Sequence, residues 1–364
     1  MNPLVANLLR EDLRGRTPYG APQLDVPVRL NTNENSYAVP DDVVTAITAA
    51  VTDTARHLNR YPDREFTELR EALAAYLRSQ TGVGITPEQV WAGNGSNEVL
   101  LHLVQAFGGV GRTALGFTPA YSMHPIITRT TGTTWVDGLR GTPTGVFDLD
   151  AGLAVRQVRE HRPHIVFLCS PNNPTGTALS LDVVQAVVEA APESLVVVDE
   201  AYAEYVSDPA FPDTIREHVM SRANVVVLRT FSKIFGLAGL RIGYLIGQPD
   251  VVDAVGRVRH YYDVNSLAQL AAIASLDDPG EIERRRAATA TARGALAGEL
   301  AGRGLRTFPA HGNFVAFERP DAAGLEAGLV RAGILVRTAG DVVRITVGSA
   351  DDHARLFAAL DTLL

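Results

Sequence analysis

A single cysteine, Cys169, occurs in the 364 residues, so no disulfide can close within the chain. That excludes a stapled secreted framework and fits a reducing compartment, so a cytoplasmic location is expected. Cys169 precedes Ser170-Pro171 at the end of an apolar run and reads as a buried strand residue. No run of about 18 or more apolar residues occurs, so no spanning helix and no membrane partner are expected. The first ten residues carry neither a charged leader nor a long apolar stretch, and no secretory signal is expected. There is no extended basic stretch. With a formal net charge of −8, nucleic acid and anionic membranes are poor candidates for a main partner. Internal repeats and low-complexity tracts are absent as well.

What is present is a chain that is 46% hydrophobic, enough for a sizeable core and about two domains. Between about Val90 and Leu245, apolar β-branched runs alternate with helical patterns. Ile165-Val166-Phe167-Leu168, Leu195-Val196-Val197-Val198 and Val225-Val226-Val227-Leu228 are the clearest strands, with a helix expected over residues 181–191. This alternation implies an α/β fold with a mostly parallel sheet. After about Asp253 the pattern changes. Helices are expected over residues 266–276, 280–300, 321–332 and 351–364. Short strands are expected at Thr307-Phe308, Phe314-Val315-Ala316-Phe317, Ile334-Leu335-Val336 and Val342-Val343-Arg344-Ile345. The expected organisation is an arm over residues 1–40, a large domain over 41–252 and a smaller α+β domain over 253–364.

Four segments carry chemistry. Lys233, in Thr230-Phe231-Ser232-Lys233, follows a buried strand, where open α/β sheets bind ligands. A lysine there differs from the common solvated surface lysine. Asp199 ends another apolar run and leads into Glu200-Ala201-Tyr202; an aspartate at a strand end can also be a simple cap. Ser170-Pro171-Asn172-Asn173-Pro174-Thr175-Gly176 precedes both. Upstream, Gly93-Asn94-Gly95-Ser96-Asn97-Glu98 opens a helical run. Such a glycine turn offers backbone N–H groups and a positive dipole end to an anion, although alone it is a weak signal. Ser232 and Arg241 could add a hydroxyl and a forked guanidinium.

Together these segments resemble the floor of a fold-type I pyridoxal phosphate site. The resemblance runs nearly end to end and is to the class I/II aminotransferases, and within them to the histidinol-phosphate aminotransferases. It includes Arg14-Gly15-Arg16-Thr17-Pro18-Tyr19-Gly20, Leu30-Asn31-Thr32-Asn33-Glu34-Asn35, Leu58-Asn59-Arg60-Tyr61-Pro62-Asp63 and Arg344-Ile345-Thr346-Val347-Gly348. It implies a large cofactor-binding domain, a small domain against which the N-terminal arm packs, and a homodimer. It also implies roles. Lys233 would carry the cofactor and shuttle the proton. Asp199 would pair the ring nitrogen, Asn173 and Tyr202 would bond the ring oxygen, and Tyr121 would stack on the ring. Ser96, Asn97, Ser232 and Arg241 would hold the cofactor phosphate, joined by Tyr61 from the neighbouring subunit. Arg344 would bind the carboxylate of an amino donor. Tyr19, Asn35 and Arg337 would lie against the substrate, with Tyr19 and Arg337 on its phosphate. Asn313 would line the mouth of the site. The reaction implied is amino transfer between a donor and a 2-oxo acid such as 2-oxoglutarate.

The sequence also departs from that family. Asn35 is followed by Ser36 rather than proline. Arg259-His260-Tyr261-Tyr262-Asp263-Val264-Asn265-Ser266 stands where a mostly apolar, proline-containing stretch is usual. An inward-facing Asp263 would favour a cationic side chain and repel a phosphate ester, whereas Arg337 favours the ester. Three alternatives follow from the sequence: a paralogue acting on a basic or aromatic amino acid, a decarboxylase of an amino acid phosphate, and a module that binds the cofactor only to sense it. The last would ordinarily bring a DNA-reading domain, for which the chain has no spare length.

Overall fold

The computed structural model describes residues 2–18, 20–141 and 148–364. The amino-terminal part contains α1 (Pro3–Leu8), β1 (Val28–Arg29), α2 (Asp41–Thr54) and α3 (Thr67–Thr81). The central part runs β2 (Val90–Gly93), α4 (Ser96–Phe107), β3 (Thr113–Thr118), α5 (Met123–Thr130), β4 (Thr134–Leu139), α6 (Ala151–His161), β5 (Ile165–Cys169), α7 (Leu181–Ala190), β6 (Leu195–Asp199), β7 (Val225–Thr230) and β8 (Gly243–Ile246). The remainder is α8 (Pro249–Gly256), α9 (Ser266–Ala274), α10 (Pro279–Gly302), β9 (Phe314–Glu318), α11 (Ala322–Arg331), β10 (Ile334–Leu335), β11 (Arg337–Ala339), β12 (Val342–Thr346) and α12 (Ala350–Leu363).

Seven strands form one sheet in the order β2-β8-β7-β6-β5-β3-β4. Only β8 runs against its neighbours; the other pairings are parallel. The central strands are near-continuous Val, Leu and Ile runs, and β5 and β6 are buried along their whole length. A strand covered on both faces needs such runs, because alternation would place polar groups in the core. Around this sheet lies the larger hydrophobic core, which includes Leu69, Leu73 and Leu77 of α3 and Val183, Val184, Val187 and Val188 of α7.

A second core gathers Leu296 and Leu300 of α10, Phe317 of β9, Leu329 of α11, Ile345 of β12, and Leu356 and Leu360 of α12. Val28 and Leu30 belong to it too. They arrive because β1 pairs in parallel with β10, Val28 against Ile334 and Arg29 against Leu335. Some residues after Asp253, Val264, Ala268, Ala272 and Ile282 among them, pack in the first core. The long helix α10, started by Pro279 and by Asp278 accepting from the N–H groups of Gly280 and Glu281, spans both. Its charged, alanine-rich sequence conceals where one apolar face ends and the next begins.

Next to the sheet's ligand-binding edge sits a buried charge cluster. Arg229 Nη2 is 2.7 Å from Glu200 Oε2, and its Nη1 is 3.4 Å from Glu204 Oε1. Burial pushes both carboxyl pKa values up and the guanidinium pulls them down. Among the described residues, no helix is long and apolar enough to cross a membrane.

Candidate active site

The carboxyl ends of the parallel strands open onto a cavity of about 480 Å³. Cys169 ends β5, Asp199 ends β6, and Ser232 and Lys233 follow β7; all four line it. The turn after β7 is set by main-chain bonds. Phe231 N donates to Ile242 O, Leu237 N to Phe231 O, and Gly236 N to Lys233 O. Gly236 has φ +71°, a left-handed conformation that favours glycine.

Lys233 is the only lysine in the chain. Its Nζ donates to the main-chain oxygens of Thr32 (3.1 Å) and Asn33 (3.0 Å), in the segment that follows β1. Burial depresses its pKa from 10.5 to about 7, with the positive charge of Arg344 acting in the same direction and Glu34 opposing. A near-neutral amine is the form that attacks a carbonyl.

Asp199 is 3% exposed. His124 Nε2 lies 2.9 Å from its Oδ2, and Ala201 N donates to its Oδ1. The His124 ring is in turn stacked on Phe167, with centroids 4.8 Å apart. Tyr202 OH accepts from Asn33 Nδ2 (3.0 Å) and Asn173 Nδ2 (3.4 Å), and burial raises its pKa to about 12, so it remains a hydroxyl donor. Tyr121 OH donates to Asn97 Oδ1 at 3.1 Å.

At the other end of the cavity, α4 starts at Ser96 with Gly95 as its N-cap and no capping side chain. Glu98 N donates to Gly95 O, and the N–H groups of Ser96 and Asn97 before it are placed to meet an anion. Gly95 has φ +83°, and a Cβ there would collide with the guanidinium of Arg241. Gly243, at the start of β8, is equally required, because a Cβ would run into Ser96 N. Arg241 itself has φ +58°. Its Nη1 donates to Ala238 O (3.1 Å) and reaches Ser232 Oγ (3.5 Å). A left-handed arginine is strained, and here the strain accompanies a guanidinium folded over a helix N-terminus.

Two further guanidiniums face the cavity. Arg337 on β11 and Arg344 on β12 are register partners across the antiparallel ladder, so they share a face. Like charges opposite one another destabilise a ladder, and an anion between or beside them offsets that cost. Arg344 Nη1 donates to Asn173 Oδ1 (2.6 Å) and its Nη2 to Asn31 O.

The cavity thus brings together Ser96, Asn97, Tyr121, Asn173, Asp199, Tyr202, Ser232, Lys233, Arg241, Arg337 and Arg344. Tyr19 lies outside the described residues. Asn35 does not line the cavity; its Nδ2 donates to the main-chain oxygens of Lys233 (3.2 Å) and Ile234 (2.9 Å), bracing the turn from behind. Asn313 is likewise behind the wall, donating to Asn33 O and Glu34 O. Tyr61 is 80% exposed and stacks on Tyr262, away from this cavity. Asp263 is not a lining residue either. It sits behind α4, where one polar atom each from Glu98, His102 and Asp263 lie within 4.8 Å of one another. Its main-chain oxygen accepts from Asn94 Nδ2, and burial together with Glu98 raises its pKa. Asp263, a candidate substrate contact if it faced inward, is thus not in the wall of this cavity. Its loop is tied to the Gly93–Gly95 turn through Asn94.

Two contributors were not expected. His124 lies in α5 with no motif to mark it, and only the fold carries it to Asp199. Glu34 belongs to a segment of recognised resemblance but had no role assigned; it lines the cavity.

A primary amine with a depressed pKa, a buried carboxylate held by an imidazole, a tyrosine–asparagine pair and an anion cradle face one space. That set fits pyridoxal phosphate, whose aldehyde, ring nitrogen, ring oxygen and phosphate make those four demands. Residues 26–361 match the family model described as aminotransferase class I and II, and the chain belongs to that family. It is a transaminase with pyridoxal phosphate as its cofactor. More particularly, it is 47% identical over 361 residues to the histidinol-phosphate aminotransferase of Paenarthrobacter aurescens, covering 98% of this chain and 95% of that one. It is 47% identical over 359 residues to the enzyme of the same name from Thermobifida fusca, covering 97% and 95%. Among solved structures, the histidinol-phosphate aminotransferase of Sinorhizobium meliloti in complex with pyridoxal-5'-phosphate superimposes with a TM-score of 0.86. It is 25% identical, and the match covers 100% of this chain and 98% of that one.

Proposed function

We propose that this transaminase takes histidinol phosphate as amino donor and a 2-oxo acid such as 2-oxoglutarate as acceptor, in histidine biosynthesis. The observation that carries the reading is near-full-length identity of 43–47% to proteins bearing that activity in their names. The opposed Arg337 and Arg344 support it, because donor phosphate and acceptor carboxylate each need a forked cation. The basic-amino-acid alternative rested on Asp263, which is not in the cavity wall.

Bound pyridoxal phosphate supplies an aldehyde that an amine can condense with and a ring that withdraws electrons from the substrate α-carbon. The chain's residues supply the rest. Lys233, with its pKa lowered to about 7, has a large unprotonated fraction near neutral pH and would then hold and return the α-carbon proton. Asp199, kept in place by His124, would pair with the ring nitrogen and stabilise its proton. Tyr202 and Asn173 would bond the ring oxygen, and Tyr121 would cover the ring. Ser96, Asn97, Ser232, Arg241 and the α4 N-terminus would hold the cofactor phosphate. Arg344 takes the acceptor's carboxylate, and Arg337, with Tyr19, takes the donor's phosphate.

The same reading includes a homodimer in the cytoplasm. Exposed Leu58, Tyr61, Tyr261 and Tyr262 form an aromatic-rich surface suited to a second copy, whose Tyr61 would reach the cofactor phosphate. It also divides the chain into a cofactor domain on the first core and a smaller domain on the second, the arm joining the latter through β1.

The test is a set of single-turnover half-reactions followed by cofactor absorbance, using histidinol phosphate, arginine, histidine, phenylalanine and glutamate. Histidinol phosphate and glutamate should react fastest, and Lys233→Ala should abolish both. A preference for arginine or phenylalanine over histidinol phosphate would end the substrate assignment; carbon dioxide release would end transamination.

A further inference from the structure

The cavity wall contains two carboxylates, Asp199 and Glu34. Asp199 is engaged by His124 and Ala201 N. Glu34 is exposed, with Thr32 Oγ1 donating to its Oε2 at 3.0 Å. Its main chain is fixed from behind, since Asn313 Nδ2 donates to its carbonyl oxygen at 3.1 Å. Its carboxylate lines the same cavity as Lys233 and favours the protonated form of that amine.

We propose that Glu34 determines donor specificity by accepting a hydrogen bond from the ring N–H of an imidazole side chain. This rests on the histidinol-phosphate reading and adds the partner for the one polar part of that donor still unaccounted for. The donor presents an amine, a phosphate and a ring. The amine belongs at Lys233 and the phosphate at the guanidiniums. A ring N–H taken out of water without an acceptor costs a hydrogen bond.

Several amide and main-chain oxygens around the cavity are already engaged. Asn97 Oδ1 takes Tyr121 OH, Asn173 Oδ1 and Asn31 O take Arg344, and Thr32 O and Asn33 O take Lys233. Thr338 Oγ1 donates to Glu326 instead of facing a ligand. Glu34 is left as the charged acceptor, and a carboxylate bonds an imidazole N–H more strongly than a neutral oxygen does. Its charge also disfavours a donor with an acidic end at the same place. The cation-seeking carboxylate that the sequence suggested at Asp263 is thus present, at a different residue.

The experiment compares wild type, Glu34→Gln and Glu34→Ala holoenzymes in single-turnover half-reactions. Three donors are used: histidinol phosphate, 2-amino-3-phenylpropyl phosphate and L-glutamate. The phenyl compound keeps amine and phosphate but has no ring N–H. Bound-cofactor absorbance checks that each variant is folded and loaded. We expect kcat/KM for histidinol phosphate to fall about ten- to a hundredfold in both variants. The phenyl analogue should change by no more than about twofold, and glutamate should hold or improve. Any effect of Glu34 through the Lys233 amine is common to all donors and cancels in their ratio. An equal loss on all three donors, or no loss on histidinol phosphate, overturns the assignment to Glu34 while leaving the substrate reading intact. Wild type that ignores histidinol phosphate overturns the substrate reading and this inference with it.

Discussion

The Lys233 amine should titrate near neutrality, and this chain allows the point to be tested at one atom. Burial lowers its pKa from 10.5 to about 7. At pH 8 about nine-tenths of such an amine is unprotonated, against roughly 0.3% of an ordinary lysine, a difference of about 300-fold in nucleophile. Because no other lysine exists, lysine labelled with carbon-13 at the ε-position gives a single resonance whose shift follows protonation. In protein freed of cofactor, the midpoint should lie near 7. Arg344→Leu should raise it by removing a repelling charge, and Glu34→Gln should lower it by removing an attracting one. The stability consequence has a definite sign. The folded pKa lies below the unfolded one, so unfolding takes up a proton between pH 7 and about 10. This residue's penalty is constant below pH 7 and fades as pH rises through that window. The urea midpoint of wild type should thus gain on that of Lys233→Met from pH 7 to pH 9. A resonance midpoint at or above about 9.5 would refute the idea that the fold prepares this amine by desolvation.

Replacing Arg229 by methionine strands Glu200 and Glu204, both buried, without their shared cation; urea unfolding should register a loss of about 3–5 kcal/mol. His124→Phe keeps the stacking on Phe167 but frees the Asp199 carboxylate; kcat should fall about tenfold or more, with KM for either substrate little changed, as steady-state kinetics would show. Asp263→Asn should leave the ranking of donors unaltered, because that side chain lies behind α4 and outside the cavity; a reordered ranking in the half-reaction panel would contradict the placement.

Much of the cavity was readable from the chain because its residues sit at the ends of uninterrupted apolar runs. Asp199 ends one buried apolar strand and Lys233 comes just after another, and a parallel sheet collects strand ends at one edge. The glycine turn before α4 was legible for the same local reason. Where position depends on distant pairing, local pattern was silent. Glu34 reaches the cavity because β1 zips against β10, some 300 residues away, and because Asn313 props its carbonyl. His124 had no signature, since one histidine in a short helix reads as ordinary core. The direction of Asp263 was open because the loop of residues 257–265 between α8 and α9 carries no periodic pattern; in the fold its main-chain oxygen accepts from Asn94 and its carboxylate lies 3.9 Å from Arg259 Nη1. The core boundary was blurred by α10, which serves both cores with one continuous helix.

The pairing of β1 with β10 reaches well beyond a few residues of ladder. The peptide running on from that strand lays two carbonyls on the reactive amine and one carboxylate beside it. A shift of the second core would be passed along this strap to the Lys233 amine. Trimming the chain past Leu30 would cut this tether at its anchor and leave the two carbonyls over the lysine unsupported.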